Sequence, residues 1–147
     1  STIRSAYRNF GAIKKFEEGS GVKIEWIGRD FRFGSFEKYR SFLGTSSIYF
    51  NPSYASPNPR ARTEAMMCGL VPVTSDSHGE SEYIENGVNG FASNDMDYLY
   101  EALVMLKKDP AKCREIGLRA RETAAEVFHI DKFKDQWSAV IDDLVQP

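Results

Sequence analysis

The sequence predicts an α/β fold: a Rossmann-like parallel sheet of about four strands flanked by helices, followed by a helical C-terminal tail. Two observations lead to this prediction. Over residues 1–92, segments with helical spacing of apolar residues alternate with short strand-like runs, which is typical of parallel sheets with right-handed crossovers. After residue 92 only helical spacing recurs. Because the chain has 147 residues, we expect one domain, residues 1–147, with a substantial core.

Helices and strands alternate in the first part of the chain. Helices are predicted where apolar residues recur every three or four positions before a glycine or an Asn-Gly pair: residues 2–18, 35–44, 60–68 and the single turn 81–85. Strands are predicted in the short apolar runs between them: residues 22–27, 47–50, 70–74 and 91–92. Ser35 is expected to cap its helix and Gly44 to end it.

Three further helices are predicted in the tail. Asn94 or Asp95 is expected to cap the first helix, and Asp109-Pro110 to start the second. His129 is expected to cap the last helix. That helix carries apolar residues at helical spacing: Phe133, Trp137, Val140, Ile141 and Leu144.

Composition and charge exclude several classes of function. The net charge is −2 with both signs interspersed, and no basic block indicates DNA or RNA as a partner. No apolar run reaches the ~20 residues that a membrane span needs. Cys68 and Cys113 lack disulfide or metal-ligand spacing, and no further hard ligands cluster near Asp76 and Glu82. We therefore expect a cytoplasmic protein without a bound metal, and leave open whether the full-length protein attaches to a membrane surface.

Glu64 is the acidic residue that the sequence pattern most strongly indicates as part of a binding site. We expect it in the first turn of the helix 60–68, at the carboxyl end of the strand 47–50, where open α/β sheets bind nucleotides. Its carboxylate could accept hydrogen bonds from the vicinal hydroxyls of a ribose, and the N–H groups that open the helix could face a phosphate or a sugar. The alternative is that Glu64 only stabilises the start of its own helix.

An ordered set of motifs extends from Asn51 to Gly90. Its parts are Pro52-Ser53-Tyr54-Ala55-Ser56, Glu64-Ala65-Met66-Met67-Cys68-Gly69-Leu70-Val71-Pro72-Val73, Asp76-Ser77-His78-Gly79, Glu82 and Asn89-Gly90. The set resembles the C-terminal, donor-binding domain of retaining glycosyltransferases with the GT-B architecture, of the glycosyl transferases group 1 or glycosyltransferase family 4 type. The tail is similar to the family as well: a helix ending in Asp-Pro, an Arg/Ala-rich helix and an aromatic-led final helix.

The resemblance implies roles for two acidic positions of the family. The second acidic residue binds the ribose of the donor, and this role falls on Glu64. The first lies near the donor sugar, and here that position is Ser56, which departs from the family pattern. The resemblance implies that the loop from Ser56 to Arg62, which includes Asn58, contacts the donor sugar or phosphate.

The same loop departs from the family in its backbone as well. It is often Gly-rich in the family, whereas Pro57 and Pro59 here remove two backbone N–H donors. The guanidinium groups of Arg60 and Arg62 could supply an anion contact in their place. The alternative is that both arginines are solvated residues of the helix.

Gly28 and Arg29 follow the predicted strand 22–27. In the family this loop borders the nucleotide base, so the resemblance implies a donor contact for both residues. The alternative is an ordinary turn between a strand and a helix.

The resemblance implies an enzyme: the donor-binding half of a retaining glycosyltransferase that transfers a hexose from a nucleotide sugar to a glycan or a lipid-linked acceptor. It implies a nucleotide-sugar substrate with no further cofactor, and an N-terminal acceptor domain or partner chain that these 147 residues do not include. One alternative is a degenerate, non-catalytic domain of the same fold used for binding or assembly. Another is a nucleotide-binding α/β domain of a different class, against which the absence of a dinucleotide fingerprint and of a P-loop argues.

Overall fold

The computed structural model describes residues 10–20, 24, 33–53 and 60–145. The helices in these ranges are α1 Phe10–Ser20, α2 Phe36–Gly44, α3 Arg60–Met67, α4 Met96–Lys108, α5 Pro110–Val127 and α6 Ile130–Leu144. The strands are β1 Ile48–Asn51, β2 Val71–Thr74 and β3 Phe91–Ala92, and a 3-10 turn spans Glu80–Glu82. The predicted strand 22–27 and the start of the predicted helix 2–18 lie outside the described residues, apart from Ile24.

The helix caps agree with the sequence in most places. The Ser35 hydroxyl accepts a hydrogen bond from the Lys38 N–H at the start of α2, as predicted. Asp95 rather than Asn94 caps α4, and the His129 ring nitrogen Nδ1 accepts from the Asp131 N–H at the start of α6. Helix α2 ends at Gly44, as predicted, with Thr45 as its C-cap. Helix α1 runs past its predicted end at residue 18 to Ser20, whose hydroxyl donates to the Phe16 carbonyl.

The three described strands form a parallel sheet in the order β1-β2-β3. Ile48 is opposite Val71 in the first pair, and Val73 is opposite Phe91 in the second. Strand β3 has the predicted bounds, while β1 and β2 each begin one residue later than predicted. Parallel pairing places the carboxyl ends of all three strands at the same edge of the sheet.

Helices cover both faces of the sheet, as a parallel sheet requires. On one face, Val71, Val73 and Phe91 pack with residues of α1, α4 and α5, and Ile48 and Phe50 join them. On the other face, Tyr49 packs with residues of α2 and α3 around Leu43, Ala65 and Leu70. Successive residues of β1 therefore point to opposite faces. The sheet is the middle of three layers.

Helix α5 lies against the turn between α3 and β2. Gly69 occupies the left-handed region in this turn with φ +82°, and the Gly117 backbone of α5 approaches its carbonyl so closely that a Cβ on Gly117 would overlap the Gly69 oxygen. Beside this contact, Met66 is fully buried against Ala120 and Ala124. This close contact between the Gly117 backbone and the Gly69 carbonyl sets the position of α3 relative to α5.

Helix α6 buries none of its side chains against the described part of the chain. Its large apolar residues are exposed: Ile130, Phe133, Trp137, Val140, Ile141 and Leu144. Among the described residues, no helix combines the length and apolar character needed to cross a membrane.

Candidate functional site

A cleft of about 370 Å³ lies at the carboxyl edge of the sheet. Its lining follows the strands in turn: Pro52 comes after β1, Ser75, Asp76 and Ser77 after β2, and Asn94 and Met96 after β3. In open α/β sheets, ligands bind in a crevice outside the carboxyl ends of the strands. The cleft therefore has the position expected of a ligand site.

Hydrogen bonds between the loops hold the walls of this cleft in place. The Ser75 hydroxyl donates to the carbonyl of Ser53, which joins the loops after β2 and β1. The Asn94 side-chain amide donates to the Asp76 carbonyl at 2.7 Å, which joins the loops after β3 and β2. The Asp76 carboxylate in turn accepts from the Ser81 N–H at 3.2 Å. The three loops are therefore linked to one another.

Glu64 lies one turn further into its helix than predicted. Helix α3 begins at Arg60 and has no acidic residue in its first turn, so Glu64 is its fifth residue and belongs to the second turn. The stabilising effect of the helix dipole on an acidic residue falls off within the first turn. The alternative explanation, that Glu64 only stabilises the helix start, therefore loses its physical basis. Glu64 is half-buried and is not among the described residues that line the cleft.

Tyr39 of α2 lies close to the Glu64 carboxylate. Burial, followed by the interaction with Glu64, raises the pKa of Tyr39, so its phenol stays protonated at neutral pH. The Tyr39 ring packs with the cluster of Leu43, Ala65 and Leu70. This packing joins α2 to α3.

Arg62 is not the solvated helix residue that one interpretation of the sequence expected. Its guanidinium Nη1 lies 2.7 Å from Glu80 Oε1, and the two side chains are only 2% and 1% exposed. The guanidinium carbon lies 5.5 Å from the centre of the Tyr83 ring, within the range of a cation–π contact. The second Glu80 oxygen accepts from the His78 N–H at 2.8 Å. A buried ion pair therefore fastens α3 to the loop that follows β2.

This pair predicts a pH dependence of folding. Burial acts to raise the pKa of Glu80, but the hydrogen bonds from the His78 N–H and from Arg62 outweigh it, so the pKa lies below the ordinary value of 4.5. Stability contributed by such a group is present above pH 4.5 and is lost as the pH falls through the lowered pKa. Urea titrations between pH 7 and pH 3 should show that the free energy of unfolding of the wild type falls with pH. The fall should be smaller in an Arg62→Met/Glu80→Leu double variant. If the free energy of unfolding fell equally steeply with pH in both proteins below pH 4.5, the assignment to Glu80 would be contradicted.

The other predicted site residues divide into two groups. Arg60 is exposed at the start of α3. Ser56, Asn58, Gly28 and Arg29 lie outside the described residues. Their contacts to a donor stay predictions, as do those of Arg60, Arg62 and Glu64.

Three residues of the site were not predicted from the sequence. Asn94 had a usable signal, since it follows a strand as Asp76 does and so belongs to the same edge of the sheet. Glu80 and Tyr39 had none, because their partners Arg62 and Glu64 are 18 and 25 positions away in the chain and only the fold brings them together.

Comparison with known proteins identifies the family. Residues 21–123 match the family model "Glycosyl transferases group 1". Alpha-maltose-1-phosphate synthase of Mycolicibacterium smegmatis is 32% identical over 99 residues, which make up 62% of this chain and 26% of that protein. The chain thus spans about a quarter of this curated relative.

Solved structures share the fold. Anabaena HepE in complex with UDP-glucose has a TM-score of 0.67 at 22% identity, over 89% of this chain and 36% of that chain. Sucrose-phosphate synthase from Thermosynechococcus elongatus has a TM-score of 0.68 at 20% identity, over 91% of this chain and 34% of that chain. These likenesses confirm the predicted fold class, the C-terminal Rossmann-like half of GT-B. With the family model matched over residues 21–123, the chain belongs to the glycosyl transferases group 1 family.

Proposed function

We propose that this chain is the donor-binding half of a retaining glycosyltransferase, which transfers a hexose from a nucleotide sugar to a glycan or a lipid-linked acceptor. The observation that carries the proposal is the family match, because residues 21–123 include the loops of the cleft as well as Glu64. The structures of HepE with UDP and with UDP-glucose show that a protein of this fold binds such nucleotides. In this chain, Glu64 would accept hydrogen bonds from the ribose hydroxyls.

The transfer reaction requires more than a bound donor. A departing diphosphate must be stabilised and an acceptor held in line, which needs cationic groups and a second wall of the active site. The chain spans 36% of HepE and 26% of the curated relative. We therefore propose that an N-terminal domain or a partner chain supplies the acceptor site. The 147 residues alone are expected to bind nucleotide weakly and to turn over no donor.

A cytoplasmic location is part of the proposal. Cys68 and Cys113 are both free thiols, which fits a reducing compartment. The donor is proposed as a substrate, with no cofactor beyond it.

The nucleotide site can be tested by calorimetry with UDP, GDP and ADP. Replacing Glu64 by Gln should weaken binding of the preferred nucleotide by about 1–3 kcal/mol, because a charged hydrogen-bond acceptor for the ribose is lost. That corresponds to roughly 5- to 150-fold in affinity. Glu122→Gln is the matched control, since Glu122 is an exposed carboxylate on α5 and its replacement changes the net charge equally.

Equal affinities of the wild type and the Glu64→Gln variant would contradict the proposed role of Glu64. If a folded wild-type chain bound none of the three nucleotides, the alternative of a non-catalytic domain used in assembly would be favoured. Ser56 at the family's first acidic position supports that alternative.

A further inference from the structure

We propose that Arg62 serves the donor site as a positioning residue: through Glu80 it holds the loop after β2, which lines the cleft, against the helix that carries Glu64. The inference rests on the proposed function of the chain and adds to it two side chains that act without touching the donor. It differs from the sequence-based hypothesis that the Arg62 guanidinium contacts an anion of the donor itself.

Arg62 and Glu64 point to different sides of α3. They are two positions apart, and with 3.6 residues per turn such side chains are separated by about 200° around the helix axis. Arg62 is 2% exposed and lies at Glu80, whereas Glu64 is half-buried. Arg62 therefore faces the loop after β2 rather than a ligand at Glu64.

The Glu80 carboxylate makes two connections at once. Its Oε1 lies 2.7 Å from Arg62 Nη1, and its Oε2 accepts from the backbone N–H of His78 at 2.8 Å. His78 directly follows Ser77, which belongs to the wall of the cleft. One buried carboxylate thus connects α3 to the end of the segment that lines the cleft.

The helix is the anchor of this connection, and the loop is the part that is held. Ala65 and Met66 of α3 are both 0% exposed, and they pack in two different core clusters. Within the loop, the Asp76 carboxylate accepts from the Ser81 N–H at 3.2 Å, so the segment 76–81, which includes Glu80, closes on itself. Loss of the ion pair should therefore leave Glu64 in place and loosen the cleft wall.

Stability alone does not account for a buried ion pair. Apolar residues of similar size often stabilise a fold as well as such a pair does. The hydrogen bonds at Glu80 add direction, because their strength depends on both length and angle. A cleft wall that must meet a ligand at one place benefits from this direction.

The Arg62→Met/Glu80→Leu variant tests the inference with two ligands in NMR titrations, which measure weak binding. The first ligand is the glucose conjugate of the best-binding nucleotide among UDP, GDP and ADP, and the second is the corresponding nucleoside. The conjugate extends beyond the ribose into the cleft, and its affinity should fall by about 3- to 10-fold, because a loosened loop must be ordered on binding. The nucleoside reaches Glu64 only, and its affinity should equal that of the wild type.

The comparison of the two ligands separates positioning from damage to the fold. Equal losses of affinity for the conjugate and the nucleoside would overturn the inference, and so would no loss for the conjugate. If Glu64→Gln leaves the nucleotide affinity unchanged, the proposed function fails, and this inference fails with it.

Glu80→Gln separates positioning from direct contact, because the two predict opposite changes. Glutamine has the same shape but only one oxygen, so it cannot accept from both Arg62 and the His78 N–H, and positioning predicts weaker binding of the conjugate. A guanidinium that contacts the donor would be released from its partner charge, and binding would tighten, which would overturn the inference. Glu85→Gln, an exposed carboxylate of the same region, is the matched control and should bind like the wild type. Thermal unfolding shows whether each variant is folded.

The loosening itself can be measured without any ligand by amide hydrogen exchange. The Ser81 N–H is bonded to Asp76, and the double variant changes neither residue. Relative to the Met66 amide of α3, the Ser81 amide should exchange about 10-fold faster in the double variant than in the wild type, as expected for a segment that opens locally. An unchanged ratio would show that the pair does not hold the loop, and would overturn the inference even if Glu80→Gln does not fold.

Discussion

Replacing Arg62 by Met is expected to lower the free energy of unfolding by about 3–5 kcal/mol, because it leaves the Glu80 carboxylate buried without its counter-charge. Glu80 is 1% exposed and would lose the hydrogen bond from Arg62 while keeping that from the His78 N–H. Urea or thermal unfolding of the purified variant measures this loss. If the Arg62→Met variant had near wild-type stability, the Arg62–Glu80 pair would not be buried in solution.

The matched comparison uses a second ion pair of the same chain. Arg119 lies 3.2 Å from Glu115 on α5, but the two side chains are 51% and 46% exposed. Arg119→Met should cost less than about 1 kcal/mol, since an exposed pair is screened by water. The distances are similar, so the difference between the two variants measures the effect of burial.

The double variant Arg62→Met/Glu80→Leu separates the loss of attraction from the cost of a lone buried charge. Replacing both partners of a buried pair by apolar residues of similar size is often close to neutral. We expect it to recover at least half of the stability that Arg62→Met loses. The remainder is attributed to the His78 N–H, which loses its acceptor. A double variant no more stable than the single one would contradict this account.

Gly117→Ala is the second substitution with a large expected effect, about 3 kcal/mol of destabilisation, at the upper end of the range for overpacking. A Cβ at this position would overlap the carbonyl oxygen of Gly69, and both contacting groups belong to the backbone. Relief would require α5 to move away from the turn and from Met66, which is 0% exposed beneath it. Denaturant unfolding measures the loss.

Gly44→Ala is the control for the change from glycine to alanine. An added Cβ at Gly44 meets nothing within 4 Å, and the residue is helical. Because alanine favours the helix more than glycine does, this variant should be stabilised by about 0.5 kcal/mol. If both variants changed stability equally, the close approach of α5 to Gly69 would be refuted.

The regular elements were predictable because their signals are local. The strand Phe91–Ala92 and the caps at Ser35, Asp109 and His129 were found from spacing and from the identity of single residues. The start of α3 at residue 60 was predicted correctly, but Glu64, its fifth residue, was assigned to the first turn although it belongs to the second.

The buried polar contacts were not predictable in the same way. Arg62 lies on a helix rich in polar residues, and such a residue is normally solvated. Only when the loop after β2 folds over α3 does Glu80 meet it. The proximity of Tyr39 to Glu64 likewise depends on how α2 packs on α3. Long-range pairing of this kind leaves no spacing pattern in a single sequence.

The central claim is that the Glu64 carboxylate binds the ribose of a nucleotide, and a crystal structure of the chain with the best-binding nucleoside diphosphate tests it most directly. The account predicts ribose oxygens about 2.7–2.8 Å from the Glu64 oxygens, a usual distance for such a hydrogen bond. A nucleotide bound elsewhere, or a bound nucleotide whose ribose faces solvent without contacting Glu64, would contradict it.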